Sequence, residues 1–325
     1  MQKCEWELVF DNGQRIVKEI EFIAGRDKIP LFVSGSFADI VTTLALLPAL
    51  SRSQGNVSII VVMSTRWRLL AARYTFPFVS YVEINDQVDA ILREELARLS
   101  RPHVLRPGVL FPTLPTLHPL IAEAVLSGRI TDLECRRLLF RLPIGEHLAT
   151  PSLSAERSAE IEEQFAVTGC RSGKTVVISY SSNTNKMMPK GHQKLLINYC
   201  RSLGLDVLIN LAKTFDKWEL SDPYSDEEVR HIDLPCDAAI ELVEKAGHYI
   251  GGSHGLTVLL SIFGANLRFF GQSIDATTYD SCCDPNALRF SPLMVSHVLG
   301  KDARIKPTLV RYDDNRVFYE DIAFI

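Results

Sequence analysis

Between Pro30 and Leu50 the chain reads PLFVSGSFADIVTTLALLPAL. A short apolar, β-prone run, Pro30 to Val33, gives way to Ser34-Gly35-Ser36-Phe37. An apolar stretch with helical spacing follows. This order predicts a strand, a tight turn and a helix. The same rhythm then repeats. Leu31–Val33 reads as a strand and Ile40–Arg52 as a helix. VSIIVVM, Val57–Met63, reads as a strand buried on both faces. Arg66–Tyr74 is helical, Val79–Ile84 a strand and Val88–Leu99 a helix. A βαβαβ succession predicts a parallel sheet covered by helices.

Ahead of this series, Trp6–Phe10 and Arg15–Phe22 flank Asp11-Asn12-Gly13, a strong turn signal. Residues 1–29 are therefore expected to form an N-terminal β-hairpin extension. Beyond the first series, Arg106–Pro119 is proline-rich and without period, a long loop of the kind that often carries function. Leu120–Leu126 and Asp132–Leu139 are helical, a polar helix starts at Ser154, and Thr168–Gly173 reads as a linker.

A second βα series begins at Lys174. It contains the strand TVVISYSS, a helix closed by Gly204, the strand LDVLINL and a short strand His231–Leu234. A helix Asp237–Ala246, capped by Asp237, comes next. Then come a strand ending in HYIGG, the helix SHGLTVLLSIFG and a strand Asn266–Phe270. The expected fold is α/β, with two Rossmann-like βαβ domains facing across a cleft, at residues 30–167 and 168–325. The cleft is the expected site.

Length agrees, since 325 residues suit two domains of ordinary size. The net charge of −4, with no basic block, excludes nucleic acid as the main partner. No run approaches ~20 apolar residues, and the charged N-terminus is no signal peptide. Arg66, Arg68 and Arg73 form a modest basic helix, so membrane contact is at most peripheral. Seven cysteines, an odd number without framework spacing, predict a reducing, cytoplasmic setting. Cys282-Cys283 is a vicinal pair whose role stays open. HExxH and paired CxxC motifs are missing, so no metal site is expected.

Three places carry chemistry. Asp39 falls on the first turn of a helix at the carboxyl end of a strand, where ligands of open α/β sheets bind. A carboxylate there is favoured by the helix dipole. It is also placed to take a proton from a substrate. Tyr180–Pro189 offers hydroxyls and Lys186 beside a strand end, a pattern that holds phosphate or simply makes a polar loop. Gly251-Gly252-Ser253-His254-Gly255-Leu256 lets backbone approach an anion at a helix N-terminus, or packs a tight turn. It is neither a Walker loop nor a GxGxxG fingerprint, and no GxSxG elbow is present. His103 and His118 flank the proline-rich loop.

These features, in this order, resemble the GT-B glycosyltransferases, and specifically the bacterial ADP-heptose heptosyltransferases, over roughly residues 30 to 270. Ser36-Phe-Ala-Asp39-Ile-Val-Thr-Thr43-Leu, followed by Pro48-Ala-Leu50, is similar to the family's small-Gly-Asp-apolar-apolar-x-Thr-Leu segment. SIIVVM and Phe76–Ile84 follow the family's order. Ser181-Ser182, Lys186 and Pro189 match the hydroxyl pair, lysine and proline of its diphosphate-binding loop. Leu234-Pro235 and the helix after it match the element beside the nucleotide base. Gly252–Leu256 lies where the family has Asp-Thr-Gly followed by Ser-His.

The chain departs from that pattern at Ala38, Met188, Ser253, His254 and Val258, which stand for glycine, tryptophan, aspartate, threonine and histidine. The family's aspartate contacts the sugar, so Ser253 leaves the transferred sugar open. The resemblance implies inverting, metal-independent transfer from a nucleotide diphosphate sugar, ADP-heptose-like, with no cofactor. Asp39 would be the general base. Ser181, Ser182, Lys186, Leu234, Ser253, His254, Gly255 and Leu256 would hold the donor, and Ser36, Phe37, Arg106 and His118 would lie on the acceptor side. The acceptor is a hydroxyl on a glycan, a lipid-linked sugar or a small molecule. Two alternatives remain: a nucleotide-sugar epimerase or hydrolase of the same fold, and a degenerate transferase serving as a binding subunit.

Overall fold

The computed structural model describes residues 13–35, 37–99, 137, 140–142, 148–179, 190–210, 224, 226–232, 236–251, 255–263, 267–270, 308–313 and 316–321. The chain divides into two compact units, Met1–Thr150 and Pro151–Ile325.

In the first unit three parallel strands, β1 (Lys28–Val33), β2 (Ser58–Ser64) and β3 (Val79–Ile84), pair in chain order. Strand β2 is buried along nearly its whole length and β1 over its second half, Leu31–Val33, as their apolar runs predict. Helix α2 (Phe37–Ser53) follows β1. Ile40, Val41, Leu44, Leu46, Leu47 and Leu50 are all buried, so this helix is core on nearly every face. Each such side chain contributes roughly 1.5–3 kcal/mol by leaving water. That burial offsets the backbone bond that Pro48 removes from within the helix. The short helix α3 (Arg68–Ala71) follows β2, and α4 (Asp86–Leu99) follows β3.

The expected N-terminal hairpin is not what forms over Arg15–Phe22. Gly13–Ala24 is helix α1. Ile16, Val17, Ile20 and Ala24 make one helical stripe, which packs with Phe32, Ile60 and Val62 of the sheet and Val88, Leu92 and Leu96 of α4. The Asp-Asn-Gly signal precedes a helix start here, and packing of the stripe overrides the strand-like composition. Trp6–Phe10 lies outside the described residues.

The second unit holds a seven-stranded sheet in the order β10-β9-β8-β7-β4-β5-β6. Its members are β4 (Thr175–Ser179), β5 (Asp206–Asn210), β6 (Arg230–Ile232), β7 (Gly247–Gly251), β8 (Leu267–Phe270), β9 (Thr308–Asp313) and β10 (Arg316–Asp321). All pairings are parallel except β9 with β10. Counted from β4, the order from β6 to β9 is the 3-2-1-4-5-6 of a dinucleotide-binding sheet. The β9–β10 hairpin lies beyond Phe270, where the sequence reading assigned no element.

Helices α5 (Ala155–Thr168), α6 (Lys190–Ser202), α7 (Ala239–Ala246) and α8 (Gly255–Phe263) complete the unit among the described residues. Among those residues, no helix is long and apolar enough to cross a membrane.

The boundary expected at residue 167 lies instead at Thr150, because α5 belongs to the second unit. Ser154 caps it, accepting from the Arg157 N–H. The Ser154 N–H in turn donates to Glu241 Oε1 at 2.7 Å, Arg157 Nε donates to Asp237 Oδ2 at 3.1 Å, and Lys245 pairs with Glu162. Beside its buried Ile161 and Phe165, these polar contacts tie α5 to α7 and the turn before it.

Thr168–Gly173 is likewise part of the fold rather than a linker, for the Gly173 N–H donates to the Lys245 carbonyl at 3.0 Å. Gly247 has φ +95°, and a Cβ on it would stand 2.8 Å from the Gly173 Cα. Gly247→Ala therefore combines left-handed strain with a backbone overlap and is expected to cost about 2–5 kcal/mol, read as a lower urea midpoint.

Candidate functional site

At the carboxyl edge of the first sheet, β1 ends at Val33 and buried Ser34 begins the turn. Gly35 has φ +126°, a conformation open to glycine alone at little cost. Helix α2 starts at Phe37, and Asp39 sits in its first turn. The Asp39 carboxylate lies back over Gly35, so that a Cβ there would meet its Oδ2 at 2.7 Å. The glycine is thus required twice, for its backbone and for the space it leaves.

Phe37 leans on Trp67, with ring centroids 5.7 Å apart, and the Arg66 guanidinium lies 4.8 Å over the same Trp67 ring. Both partners come from the 3-10 turn Thr65–Trp67 that closes β2. No local pattern in the sequence brings Trp67 near Phe37. Its only signal was its position just beyond a strand end.

Of the modest basic helix, two arginines are exposed and one is buried. Arg66 covers Trp67, Arg68 Nε lies 3.5 Å from Glu83, and Arg73 is buried. Two further acids were missed, Asp86 and Asp89, both on the first turn of α4. Asp86 accepts from Ser64 Oγ, and Asp89 Oδ2 accepts from Ser34 Oγ at 2.9 Å. Burial pushes the Asp89 carboxyl up, against the opposing pull of the Ser34 hydrogen bond and of Arg66 and Arg93. Ser36, Arg106 and His118 lie outside the described residues.

In the second unit β4 and β7 lie side by side, yet the chain leaves β4 toward β5 and leaves β7 toward β8 on the opposite side. This is the point of reversal at which open sheets bind ligands. Ser179 and Gly251 pair in register there, both buried, at the carboxyl ends of the two strands. From those ends run 180–189 and 252–254, which contain Ser181, Ser182, Lys186, Ser253 and His254. These residues, with Leu234, lie outside the described residues.

Gly255 and Leu256 open α8 once 252–254 have left that strand end. Leu256 is buried, so its side chain anchors the helix, and what it can offer a ligand is a first-turn N–H. Tyr249, fully buried on the same strand, packs its phenol ring over Gly251, where a Cβ would overlap it. Asp237 was expected to cap the helix after β6. It sits instead in the 3-10 turn Cys236–Ala238 and accepts from Arg157, while α7 starts from Ala238 without a side-chain cap. Among the described residues no three His, Cys, Asp or Glu side chains are grouped to hold a metal ion.

No protein-family profile matches the chain, and no curated protein sequence does. Solved structures do. ADP-heptose LPS heptosyltransferase II of E. coli superimposes with a TM-score of 0.55 at 14% identity, over 89% of this chain and 92% of that one. A glycosyl transferase family 9 protein of Veillonella parvula gives 0.55 at 10% identity, over 88% and 86%. The chain has the GT-B glycosyltransferase fold. The iron-containing heptosyltransferase TibC, an E. coli protein solved with ADP-D-β-D-heptose, gives 0.52 at 16% identity, over 82% of this chain and 61% of TibC. The two units are thus the two Rossmann-like halves of a GT-B chain, one bearing Asp39 and the other the β4–β7 reversal point.

Proposed function

We propose that the protein transfers a glycosyl group from a nucleotide diphosphate sugar to an acceptor hydroxyl, with inversion and without a metal, Asp39 acting as general base. The observation that carries this reading is the Asp39 carboxylate held over Gly35 at a strand's carboxyl end, in a chain with the fold of known heptosyltransferases. The acceptor oxygen bonds to the anomeric carbon as the bond from that carbon to the phosphate oxygen breaks. Asp39 takes the acceptor's proton, and the nucleoside diphosphate leaves with the electron pair.

The larger electrostatic demand lies on that leaving group. Lys186, the hydroxyls of Ser181 and Ser182 and the N–H groups from Ser253 to Leu256 are the groups this reading assigns to it. The β4–β7 reversal supports the assignment, because both segments start from its paired strand ends. Leu234 belongs beside the nucleotide base. TibC was solved with ADP-heptose, which makes an ADP-sugar the first donor to try. Such a donor and an odd cysteine count suit a reducing cytoplasm.

Titration calorimetry with ADP, GDP and UDP and their sugars tests the reading, followed by acceptor-dependent release of the diphosphate. Sugar released equally fast without any acceptor would indicate hydrolysis instead. Lys186→Ala is expected to weaken nucleotide binding roughly 10- to 100-fold, the worth of one charge-assisted hydrogen bond. Unchanged affinity would remove Lys186 from the donor site.

A further inference from the structure

The first turn of α4 reaches across the sheet to the ends of both other strands. Ser64, the last residue of β2, donates to Asp86, and Ser34, the residue after β1, donates to Asp89. The two aspartates stand one helical turn apart, so a single helix start holds two successive strand-to-helix turns.

The two pairs differ in kind. The Asp86 side chain is largely exposed, so its bond from buried Ser64 is only half enclosed. Asp89 is 3% exposed and Ser34 is 2% exposed. Asp89 Oδ2 has Ser34, whereas Oδ1 has no hydrogen-bond partner among the described residues.

A buried carboxylate with one oxygen unsatisfied is an expense to stability, and an apolar residue of similar size would serve packing better. Sequence positions that break such rules concentrate where function is served. Here the rule is broken directly behind the turn that sets the candidate base. Ser34 precedes Gly35, and Gly35 is the residue over which Asp39 folds its carboxylate. Fixing the Ser34 side chain to α4 fixes the start of a turn whose next residue has a backbone conformation that is otherwise easily lost.

We propose that Asp89 is a positioning residue for Asp39, acting through its buried hydrogen bond from Ser34 to hold the β1–α2 turn. The proposal rests on the reading of Asp39 as the base, and it adds a group that does not touch substrate. A base held off its line of attack by as little as 1 Å loses about 10²-fold in rate. The loss falls on turnover, since the donor is assigned to the other unit.

The test uses the full chain with Ser34→Ala, Asp89→Ala, the double variant and Asp89→Asn, which keeps an acceptor for Ser34. Ser34→Ala and Asp89→Ala are expected to lower kcat about 10- to 100-fold with donor KM unchanged. The double variant should be no slower than the worse single, and Asp89→Asn should restore kcat to within about threefold of wild type. Amide hydrogen exchange of the peptide spanning residues 33–40 should quicken in Ser34→Ala and Asp89→Ala and return in Asp89→Asn.

Unchanged kcat in the two alanine variants overturns the proposal, as does a double variant whose loss is the product of the single losses. If the wild-type chain transfers no sugar to any acceptor, the functional reading has failed. The exchange measurement then decides the positioning by itself, and unchanged exchange at residues 33–40 overturns it.

Discussion

Asp39→Asn and Asp39→Ala are expected to lower kcat by about 10²–10⁴, the usual worth of a general base, and to leave nucleotide affinity within about twofold of wild type. The asparagine is the sharper of the two. It has the same shape as the acid, so it keeps the packing over Gly35 and whatever that packing contributes to α2. It cannot accept the acceptor's proton. A carboxylate present only to favour the helix dipole contributes less than about 1 kcal/mol at an exposed N-terminus, and its loss would appear in the melting temperature rather than in kcat. Steady-state rates on the true acceptor, beside nucleotide calorimetry and a thermal melt, separate the two roles. Full activity in Asp39→Asn would end the assignment.

Gly35→Ala is expected to match the Asp39 variants in lost turnover and to exceed them in lost stability. A side chain at φ +126° carries about 1–3 kcal/mol of backbone strain. Its Cβ would also lie 2.7 Å from Asp39 Oδ2, far inside contact distance, so the carboxylate must swing away. The two costs can be told apart. Adding Asp39→Ala to Gly35→Ala removes the overlap but not the strain, so the double variant should be more stable than Gly35→Ala alone, a non-additivity that urea denaturation resolves. Equal stability of the two would mean that the carboxylate has room to move and that Gly35 serves the backbone only.

Much of this was legible in the sequence, for physical reasons. VSIIVVM and TVVIS can sit only in the middle of a covered parallel sheet, and the turn Ser34–Phe37 had to carry Asp39 to a strand's carboxyl end. The misreadings also have causes. Arg15–Phe22 alternates well enough for a strand, and only the facing stripes of β1 and α4 make it helical. Helix α5 is mostly polar, and the contacts that tie it to the second unit include Glu241, Asp237 and Lys245, far along the chain. Asp86 and Asp89 read as ordinary acids of a helix start. That one is buried and bonded to Ser34 is a fact of three-strand topology, which local pattern does not encode. Trp67 was invisible as a neighbour of Phe37 for the same reason.

The adjacency of β4 and β7 has a consequence for how the second unit comes into being. Thr175 pairs with Gly247 and Ser179 with Gly251, so the centre of the sheet joins segments that leave the ribosome far apart in time. Strands β4, β5 and β6 with their helix α6 exist first, and one side of the wholly buried strand β4 is then an open edge of unpaired backbone groups. Until β7 arrives to cover it, that edge is able to pair with a foreign strand. The contact that creates the reversal point is therefore also the one that closes this open edge. A long loop must close before it forms, which makes it a slow step of folding.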